Sequence, residues 1–322
     1  MDELLTQLRA AAEPTRLRLL ALCSRGAFCV TEMCQILGQS QPRLSRHLKL
    51  LAEAGLLLRS PEGPNVYFQL PPDSGLARAL LARLPEDDPL LQADRRLAAR
   101  IAAERARAAS ALFQRAGMEW DETQALGLDA AALEAAILAA LPQRLDALLD
   151  IGTGTGRLLE LAAPRAAHAL GVDASREMLA LARARLSERG LAERAAVRLA
   201  DMYRLPLPDA SQDAVTMQMV LHYAEDPAAA LAEAARVLKP GGLLLLADLA
   251  PHGRAELLER LAHRWPGFDD AAIAGWLGEA RCALAESRTI PGPLAARLWV
   301  AQKAPLHQAP PTGGLAYSLT ER

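Results

Sequence analysis

The sequence predicts a multidomain protein in which an N-terminal winged helix-turn-helix unit (α+β) precedes a C-terminal α/β domain with a doubly wound, Rossmann-like sheet. Three observations support this prediction. Two short helices joined by a turn, then a β-hairpin, are expected among the elements of the first seventy residues, a glycine-rich loop joins a strand to a helix at 150–156, and apolar runs then alternate with helices as far as residue 301. With 322 residues, the chain is long enough for two or three such units.

Composition limits the kind of protein this can be. Hydrophobic residues make up 51% of the chain and aromatic residues only 4%, which favours helices rich in leucine and alanine. The formal net charge of −2 means that any nucleic-acid-binding surface must be local. The acidic start, residues 1–5, does not resemble a signal peptide, and no apolar run approaches a membrane span, so a cytoplasmic location is expected.

Four helices are predicted before residue 55: one over Leu4 and Leu8, one that opens at Pro14, one from Glu32 to Leu37 capped by Thr31, and one from Gln41 to Ala54. The turn Gly38-Gln39-Ser40 between the last two gives the spacing of a helix-turn-helix. Along the fourth helix, leucines share one face and cations point away from it. The leucines are Leu44, Leu48 and Leu51, and the cations are Arg46 and Lys49, with Arg43 on the flank.

A β-hairpin is predicted after the fourth helix. The runs 56–60 and 66–70 flank the turn Pro61-Glu62-Gly63-Pro64, which is the pattern of a wing. Residues 39–60 carry Arg43, Arg46, Lys49 and Arg59 against the single acid Glu53. This local excess of positive charge is typical of a surface that contacts DNA.

The segments 13–20 (EPTRLRLL) and 41–56 (QPRLSRHLKLLAEAGL) resemble the ArsR/SmtB-type winged-helix transcriptional regulators over about residues 4–70. The resemblance implies a repressor that binds a double-stranded DNA operator as a homodimer. It also implies major-groove contacts from Gln41, Arg43, Ser45, Arg46, His47 and Lys49, and backbone contacts from Arg59 and Asn65 on the wing. Two alternatives stay open: His47 can be a packed residue, and the unit, 1–72, can be a helical adaptor with a solvated charged face.

The cysteines give no metal site. Metalloid sensors of that family use two cysteines one residue apart in the third helix, whereas here Cys29 is followed by Thr31 at the second position. Cys23 and Cys34 lie at other spacings, and Cys282 stands alone in the C-terminal domain. Because one thiolate cannot supply a soft three-coordinate site, reduced structural thiols are expected and a metal is not.

The connector, 73–141, is predicted to be helical and to mediate dimerisation. A short helix over 75–84 is followed by a long alanine- and arginine-rich helix over 90–117. Its loose apolar stripe consists of Leu90, Leu97, Ile101 and Leu112. Because this stripe cannot stabilise a helix alone, we expect it to pack against a partner subunit or the wing. A further helical stretch from Trp120 to Leu141 is expected to lead into the next domain.

The loop Asp150-Ile151-Gly152-Thr153-Gly154-Thr155-Gly156 is predicted to bind a small ligand. Glycines accept positive φ, and without Cβ atoms their N–H groups can approach a ligand at the N-terminus of a helix. Asp173 ends the next apolar run about 20 residues later, where a carboxylate can hold both hydroxyls of a ribose. A glycine turn that only lets strand and helix pack is the alternative.

This pattern resembles motif I of class I S-adenosylmethionine-dependent methyltransferases. The resemblance implies that the domain 142–304 binds S-adenosylmethionine or its demethylated product, S-adenosylhomocysteine. The implied ligand contacts are Asp150, Gly152, Thr153, Gly154, Gly156, Asp173, Ala174, Met178, Asp201, Met202 and Gln218. Segments 207–213 and 237–242 add a resemblance to small-molecule methyltransferases of the ubiquinone/menaquinone type, and the tail 305–322, rich in proline and glycine, is predicted to be flexible.

The strands of the sheet are predicted at 147–150, 169–173, 196–199, 214–219, 243–247, 283–289 and 298–301. Helices at 175–189 and 227–238 lie between them, and Lys239-Pro240-Gly241-Gly242 is predicted to form a sharp turn before the fifth strand. Ligands bind outside the carboxyl ends of such strands, so the chemistry is expected at that edge.

No catalytic group stands out. The weak candidates for an acid–base role are His222, Tyr223 and His252, together with Asp248 and His263, and each can equally be a packing or hydrogen-bonding residue. After the fourth strand the chain reads QMVLHY (218–223) rather than the N/D-P-P-Y of DNA and protein N-methyltransferases, which disfavours those substrates.

Two hypotheses from different classes follow. In the first, the protein is a DNA-binding regulator with S-adenosylmethionine or S-adenosylhomocysteine as effector, and methionine-cycle genes are its targets. In the second, it is an active methyltransferase on a small molecule, and the winged unit controls its own gene. A third, methylation of bound DNA or of a partner protein, is disfavoured by the missing N-P-P-Y pattern.

Overall fold

The computed structural model describes residues 1–71, 74–115, 127–254, 256 and 262–305. In the N-terminal half the elements are α1 (Asp2–Ala11), α2 (Pro14–Cys23), β1 (Phe28–Cys29), α3 (Val30–Leu37), α4 (Gln41–Glu53), β2 (Leu58–Glu62), β3 (Asn65–Gln69), α5 (Gly75–Leu81) and α6 (Pro89–Arg115). In the C-terminal half they are α7 (Ala130–Ala140), β4 (Leu145–Ile151), α8 (Arg157–Ala162), β5 (Ala166–Asp173), α9 (Arg176–Glu188), β6 (Ala195–Leu199), β7 (Gln212–Gln218), α10 (Pro227–Val237), β8 (Leu238–Leu249), α11 (Asp270–Glu279), β9 (Cys282–Ile290) and β10 (Ala296–Lys303).

The first unit is a winged helix-turn-helix, as the sequence predicts. Its helices enclose one core in which Leu44, Leu48 and Leu51 of α4 are completely buried, and its antiparallel sheet has the order β1-β3-β2. Two local predictions are wrong. Helix α3 begins one residue before Thr31, because Cys29 is its N-cap and its backbone N–H donates to the Glu32 carboxylate at 2.8 Å. The wing turn contains only Gly63 and Pro64, since Glu62 and Asn65 already pair in the hairpin.

The C-terminal domain is the predicted doubly wound sheet. Its strand order is β6-β5-β4-β7-β8-β10-β9, in which β10 is antiparallel to both of its neighbours and the pairs among β6, β5, β4, β7 and β8 are parallel. Apolar side chains on both faces of the sheet pack against helices and form two cores. The chain order reverses between β4 and β7, so a crevice opens at the carboxyl ends of these strands.

The predicted sharp turn at 239–242 is wrong. The segment lies inside β8, which runs from Leu238 to Leu249. Leu238 pairs with Gln212 and Leu243 pairs with Ala214, so the register shifts by extra residues on β8. Gly241, at φ +78°, absorbs this irregularity within the strand.

The buried face of the long helix α6 differs in part from the predicted stripe: Ile101 packs against the core of the first unit, as expected, but Leu90 and Leu97 do not. Leu91, Ala98 and Ala102 are buried, whereas Leu90 is 60% and Leu97 is 39% exposed. A polar contact decides which face of α6 is buried. Asp94 on that face accepts two hydrogen bonds from the Arg18 guanidinium, each 2.7 Å long, and this pair orients the helix. The short helix before it ends at Leu81 rather than at residue 84. The predictions for the Leu112 side chain, Trp120 and residues 306–322 fall outside the described positions.

The wing of the first unit contacts helix α9 of the second. The Arg183 guanidinium on α9 pairs with the Glu62 carboxylate at the end of β2, and both side chains are less than a tenth exposed. The same guanidinium lies 4.2 Å from the centre of the Tyr67 ring on β3. At the start of α9, Arg176 lies against Gly63 of the wing turn. The wing and α9 are therefore held together by one buried ion pair and by the contacts of Tyr67 and Arg176.

The Glu62→Gln substitution should lower the free energy of unfolding by about 3 kcal/mol, because it leaves the Arg183 guanidinium buried without its counter-charge. Chemical denaturation followed by circular dichroism measures this change. Glu286→Gln is the matched control, since its pair with Arg288 is half exposed on both sides and should contribute below about 1 kcal/mol. Equal effects of the two substitutions would contradict the prediction.

Candidate functional site: a glycine loop and a recognition helix

The glycine loop between β4 and α8 has the backbone conformation that the sequence predicts. Gly152, Gly154 and Gly156 all have positive φ, at 69°, 52° and 74°. A Cβ atom on Gly152 would overlap the Val220 side chain, which follows β7. The loop is tied to the neighbouring strand, because the N–H groups of Gly152 and Thr153 donate to the Val172 carbonyl at 2.8 and 2.9 Å. Only glycine fits at position 152 in this arrangement.

Asp173 connects this loop to helix α9. One of its carboxylate oxygens accepts the Gly154 N–H at 2.9 Å and the other accepts the Ser175 N–H at 2.8 Å. Burial raises the pKa of Asp173, while these backbone donors lower it. Ser175 caps α9 by accepting the Met178 N–H at 3.2 Å, and Ala174 lies between the two polar residues. The second predicted carboxylate thus lies beside the glycine loop.

Asp150, the last residue but one of β4, is buried beneath the loop. Its carboxylate accepts a hydrogen bond of 2.7 Å from the Thr216 hydroxyl on the adjacent strand β7. Burial raises its pKa to about 6, although the hydroxyl acts in the opposite direction. The nearby Asp173 charge raises it further. A cationic group bound at this edge would favour the ionised form of Asp150.

The other predicted ligand contacts are Asp201 and Met202, which lie just after β6, and Gln218, which is the last residue of β7. Asp201 is exposed and accepts the Tyr203 N–H at 3.0 Å, and Met202 is half-buried against the apolar core. Gln218 ends β7, and its buried side-chain carbonyl accepts no hydrogen bond from the part of the chain that the structure describes. Positive-φ glycines, two carboxylates and an unsatisfied acceptor at one edge of the sheet fit a nucleoside that carries a cationic amino-acid chain.

A buried pair, His222 with Asp248, lies next to this edge. Nδ1 of His222 is 2.8 Å from Asp248 Oδ1, and neither side chain is exposed. The other Asp248 oxygen accepts the N–H groups of Leu221 and His222. Val220, which packs on Gly152, immediately precedes this turn, so the glycine loop and the pair are neighbours. Sequence reasoning named both residues but not their pairing, because they are 26 positions apart.

Two further rings contact the His222 ring, and His252 is coupled to both histidines by charge. The His263 ring centre lies 4.2 Å from it and the Tyr223 ring centre 4.3 Å from it. Burial lowers the pKa of His252, as does the neighbouring charge of His263. The predicted acid–base candidates therefore form one cluster at the carboxyl ends of β7 and β8.

The recognition helix α4 presents its predicted DNA contacts to solvent. Gln41, Arg43, Ser45, Arg46 and Lys49 are exposed, as are Arg59 and Asn65 on the wing. His47 is the exception, because it is only partly exposed and its Nδ1 lies 3.8 Å from the Glu13 carboxylate, which caps α2. This placement favours the packing interpretation of His47.

Within the described ranges no group of three or more His, Cys, Asp or Glu side chains is arranged to hold a metal ion. Burial raises the pKa of the Cys29 thiol, and the neighbouring Glu32 charge acts in the same direction, so the nucleophilic thiolate is disfavoured. None of the described helices is both long enough and apolar enough to cross a membrane.

Comparison with known proteins gives a separate match for each half. The family model for bacterial regulatory proteins of the arsR family matches residues 13–57, and a methyltransferase-domain model matches residues 149–246. The arsenical resistance operon repressor of Escherichia coli (strain K12) is 48% identical over 62 residues, which are 19% of this chain and 53% of the repressor. The ubiquinone biosynthesis O-methyltransferase of Hahella chejuensis is 32% identical over 169 residues, 47% of this chain and 67% of that enzyme.

Among solved structures, geranyl diphosphate C-methyltransferase from Streptomyces coelicolor A3(2) is similar in fold, with a TM-score of 0.50 and 15% identity. The match covers 54% of this chain and 77% of that one. The chain spans 30%, 53% and 59% of the lengths of three curated relatives that it matches. Each half nevertheless matches a known family, and the chain joins an ArsR-type winged-helix DNA-binding domain to a class I methyltransferase domain of the S-adenosylmethionine-dependent type.

Proposed function

We propose that the protein is a sequence-specific transcriptional repressor whose C-terminal domain binds S-adenosylmethionine or S-adenosylhomocysteine as an effector. The observation that carries the proposal is the path of helix α9. Its first turn lies beside Asp173 and the glycine loop, and Arg183, about 10 Å further along the helix, pairs with Glu62 of the wing. One helix thus connects the proposed ligand site, at the carboxyl edge of the sheet, to the DNA-binding unit.

The effector acts by differential affinity for two states of the repressor. S-adenosylmethionine and S-adenosylhomocysteine differ by a methyl group and a positive charge, so a site that distinguishes them reports the methylation status of the cell. We infer that Asp150, Asp173 and the unsatisfied Gln218 carbonyl hold the ligand. Genes of the methionine cycle are the proposed targets.

The DNA-binding form is proposed to be a homodimer that uses helices α1 and α6. Leu4, Leu5 and Leu8 on α1 are between 38% and 49% exposed, and Leu90 and Leu97 on α6 are also exposed. Exposed leucines on each of these two helices support an interface there. We assign residues 73–141 to dimerisation, to which α1 also contributes, residues 1–72 otherwise to DNA binding, and 142–304 to the ligand.

A second candidate function is methyl transfer to a small molecule, and the His222–Asp248 pair favours it. The bound cofactor would supply an activated methyl group. Asp248 fixes the orientation of the His222 ring, so the imidazole can hold a proton taken from a hydroxyl or thiol acceptor. Regulation and turnover are compatible, since the winged unit could then control the gene of its own enzyme.

Gly152→Ala should weaken binding of S-adenosylhomocysteine at least tenfold, measured by isothermal titration calorimetry. The new methyl group would overlap Val220 and the residue would have to keep a positive φ, so the loop must rearrange. Gly190→Ala is the control, because Gly190 also has positive φ but has open space around it. A loss of affinity in both variants would attribute the effect to backbone strain and contradict the assignment.

Ligand affinity should fall as the pH is lowered through about 6. The raised pKa means that Asp150 is neutral below this pH in the free protein, and the ligand ammonium favours the ionised form, so acid opposes binding. From pH 7.5 to pH 5 we expect about a tenfold loss in affinity for S-adenosylhomocysteine. Asp150→Asn should flatten this profile, and adenosine, which lacks the ammonium group, should show little pH dependence. A profile unchanged in Asp150→Asn would show that another group is responsible.

Operator affinity should differ among the apo protein, the S-adenosylmethionine complex and the S-adenosylhomocysteine complex, as measured by fluorescence anisotropy of a labelled operator. A coupling of at least 1 kcal/mol, about fivefold in affinity, is expected for one of the ligands. Arg46→Ala should weaken binding by about 1–3 kcal/mol if Arg46 reads a base, which establishes that the assay reports recognition by α4. Equal affinities in all three states would reject the sensor function.

If the second candidate function holds, incubation with labelled S-adenosylmethionine and a panel of phenols and thiols should produce S-adenosylhomocysteine. His222→Asn should then lower kcat by at least about a hundredfold, as expected for loss of a general base. Calorimetry with S-adenosylhomocysteine provides the control, because the variant should keep its ligand affinity. Turnover that is unaffected in His222→Asn would remove the pair from the mechanism.

A further inference from the structure

A cavity of about 550 Å³ lies between the winged unit and the sheet of the C-terminal domain. Its walls come from the α2–β1 turn, from α6, from α9 and from strands β4 to β6. Residues 150–156 of the glycine loop do not line it. The cavity is thus distinct from the proposed nucleoside site and has the size of a small-molecule pocket.

The cavity exists because one face of the sheet has no helix over it. The connection between β6 and β7, residues 200–211, contains no helix, so side chains on that face of the outer strands stay partly exposed. His168, Leu170 and Ala196 line the cavity from this face. Leu58 and Phe28 of the winged unit close the opposite side, so much of the wall is apolar.

Positive charge is concentrated around this apolar space. The charged side chains in its lining are six arginines, Arg25, Arg78, Arg105, Arg183, Arg194 and Arg198, and the single acid Glu193. Burial lowers the pKa of Arg198, although the charge of Glu62 acts in the opposite direction, and the hydrogen bond described for its guanidinium is a long one, 3.4 Å, to the Pro206 carbonyl. Because Glu62 is paired with Arg183, Arg198 has no carboxylate of its own within ion-pair distance among the described residues, which favours an anionic ligand.

Two buried N–H donors add to this preference. Arg105 is paired with Glu32 at 3.1 Å and Arg183 with Glu62, yet the Nε–H group of each arginine has no acceptor among the described residues. Arg183 is more than nine-tenths buried. Leaving such donors unsatisfied is costly, and a ligand acceptor placed between them would remove that cost.

We propose that this cavity is a second ligand site, for a small molecule with an apolar body and one anionic head group. The apolar body lies against the uncovered face of β5 and β6, at Leu170 and Ala196, and the head group is bound by Arg198 and the Nε–H donors. The ligand contacts the wing strand at Leu58 and the sheet at once. Any effect of this ligand on operator affinity rests on the proposed repressor function, whereas binding of the ligand to the cavity does not.

Isothermal titration calorimetry of the full chain with decanoate, decyl phosphate and decanol tests the site. At least one of the two anions should bind with a stoichiometry of one per chain and at least tenfold more tightly than decanol. The two anions together show whether the head group is a carboxylate or a phosphate, and either preference supports the site. Equal affinity for decanol and both anions, or no saturable binding, would overturn the proposal.

Two variants locate the binding. Arg198→Gln removes the cation and Ala196→Trp fills the cavity, and each should weaken anion binding at least tenfold. Arg288→Gln is the control, because Arg288 is an exposed cation on β9 outside the cavity lining. The circular dichroism spectrum should stay unchanged in both cavity variants, which confirms that they fold whether or not the glycine loop binds S-adenosylhomocysteine. Anion binding that survives both substitutions would place it elsewhere and reject the assignment.

Discussion

The buried ion pair of Arg183 with Glu62 fixes how the two halves of this protein meet. A guanidinium that is removed from water requires a counter-charge, so the wing cannot leave helix α9 without exposing both groups or leaving one unpaired. Tyr67 covers the pair from one side, with Arg183 4.2 Å and Arg105 5.9 Å from its ring centre. Helices α6 and α9 and the wing therefore converge on a single aromatic side chain.

The parallel sheet supplies the second constraint. Its carboxyl ends gather Asp150, Asp173, Gln218 and Asp248 at one edge, although these residues are up to 98 positions apart in the chain. Their environments differ: Asp150 is held by a hydroxyl and has a pKa of about 6, whereas Asp173 is held by two backbone donors. The same fold thus produces one carboxylate that can titrate near neutral pH and one that organises a loop.

Most of the fold is predictable because its helices, strands and glycine loop are specified by residues that lie close together in the sequence. The leucine stripe of α4 and the apolar runs of the sheet follow helical and strand periods, and the glycine loop requires positive φ, so each can be recognised from a few consecutive residues. The errors arose where distant residues decide the outcome. The Arg18–Asp94 pair, 76 positions apart, turns α6 so that Leu90 faces solvent, and cross-strand pairing with β7 draws the segment 239–242 into β8.

The same limit applies to the candidate sites. The glycine loop and the recognition helix are each one continuous segment, so the sequence predicts them directly. The pair of His222 with Asp248 instead depends on the register of β7 against β8. Arg183 and Glu62 lie 121 positions apart, and no local pattern marks either of them as a contact between domains. Polar contacts between residues that are far apart in the sequence leave no repeating pattern from which they could be predicted.

The His222–Asp248 pair shows how a structural role and a chemical role can reside in one carboxylate. Asp248 accepts N–H groups from Leu221, His222 and Leu249, which fixes the turn after β7 and holds Val220 against Gly152. The remaining hydrogen bond orients the imidazole. Because the turn and the ring share one anchor, loss of Asp248 must disturb the glycine loop as well as the ring, whereas a change at His222 leaves the backbone anchor in place. His222 is therefore the position at which chemistry can be separated from ligand binding.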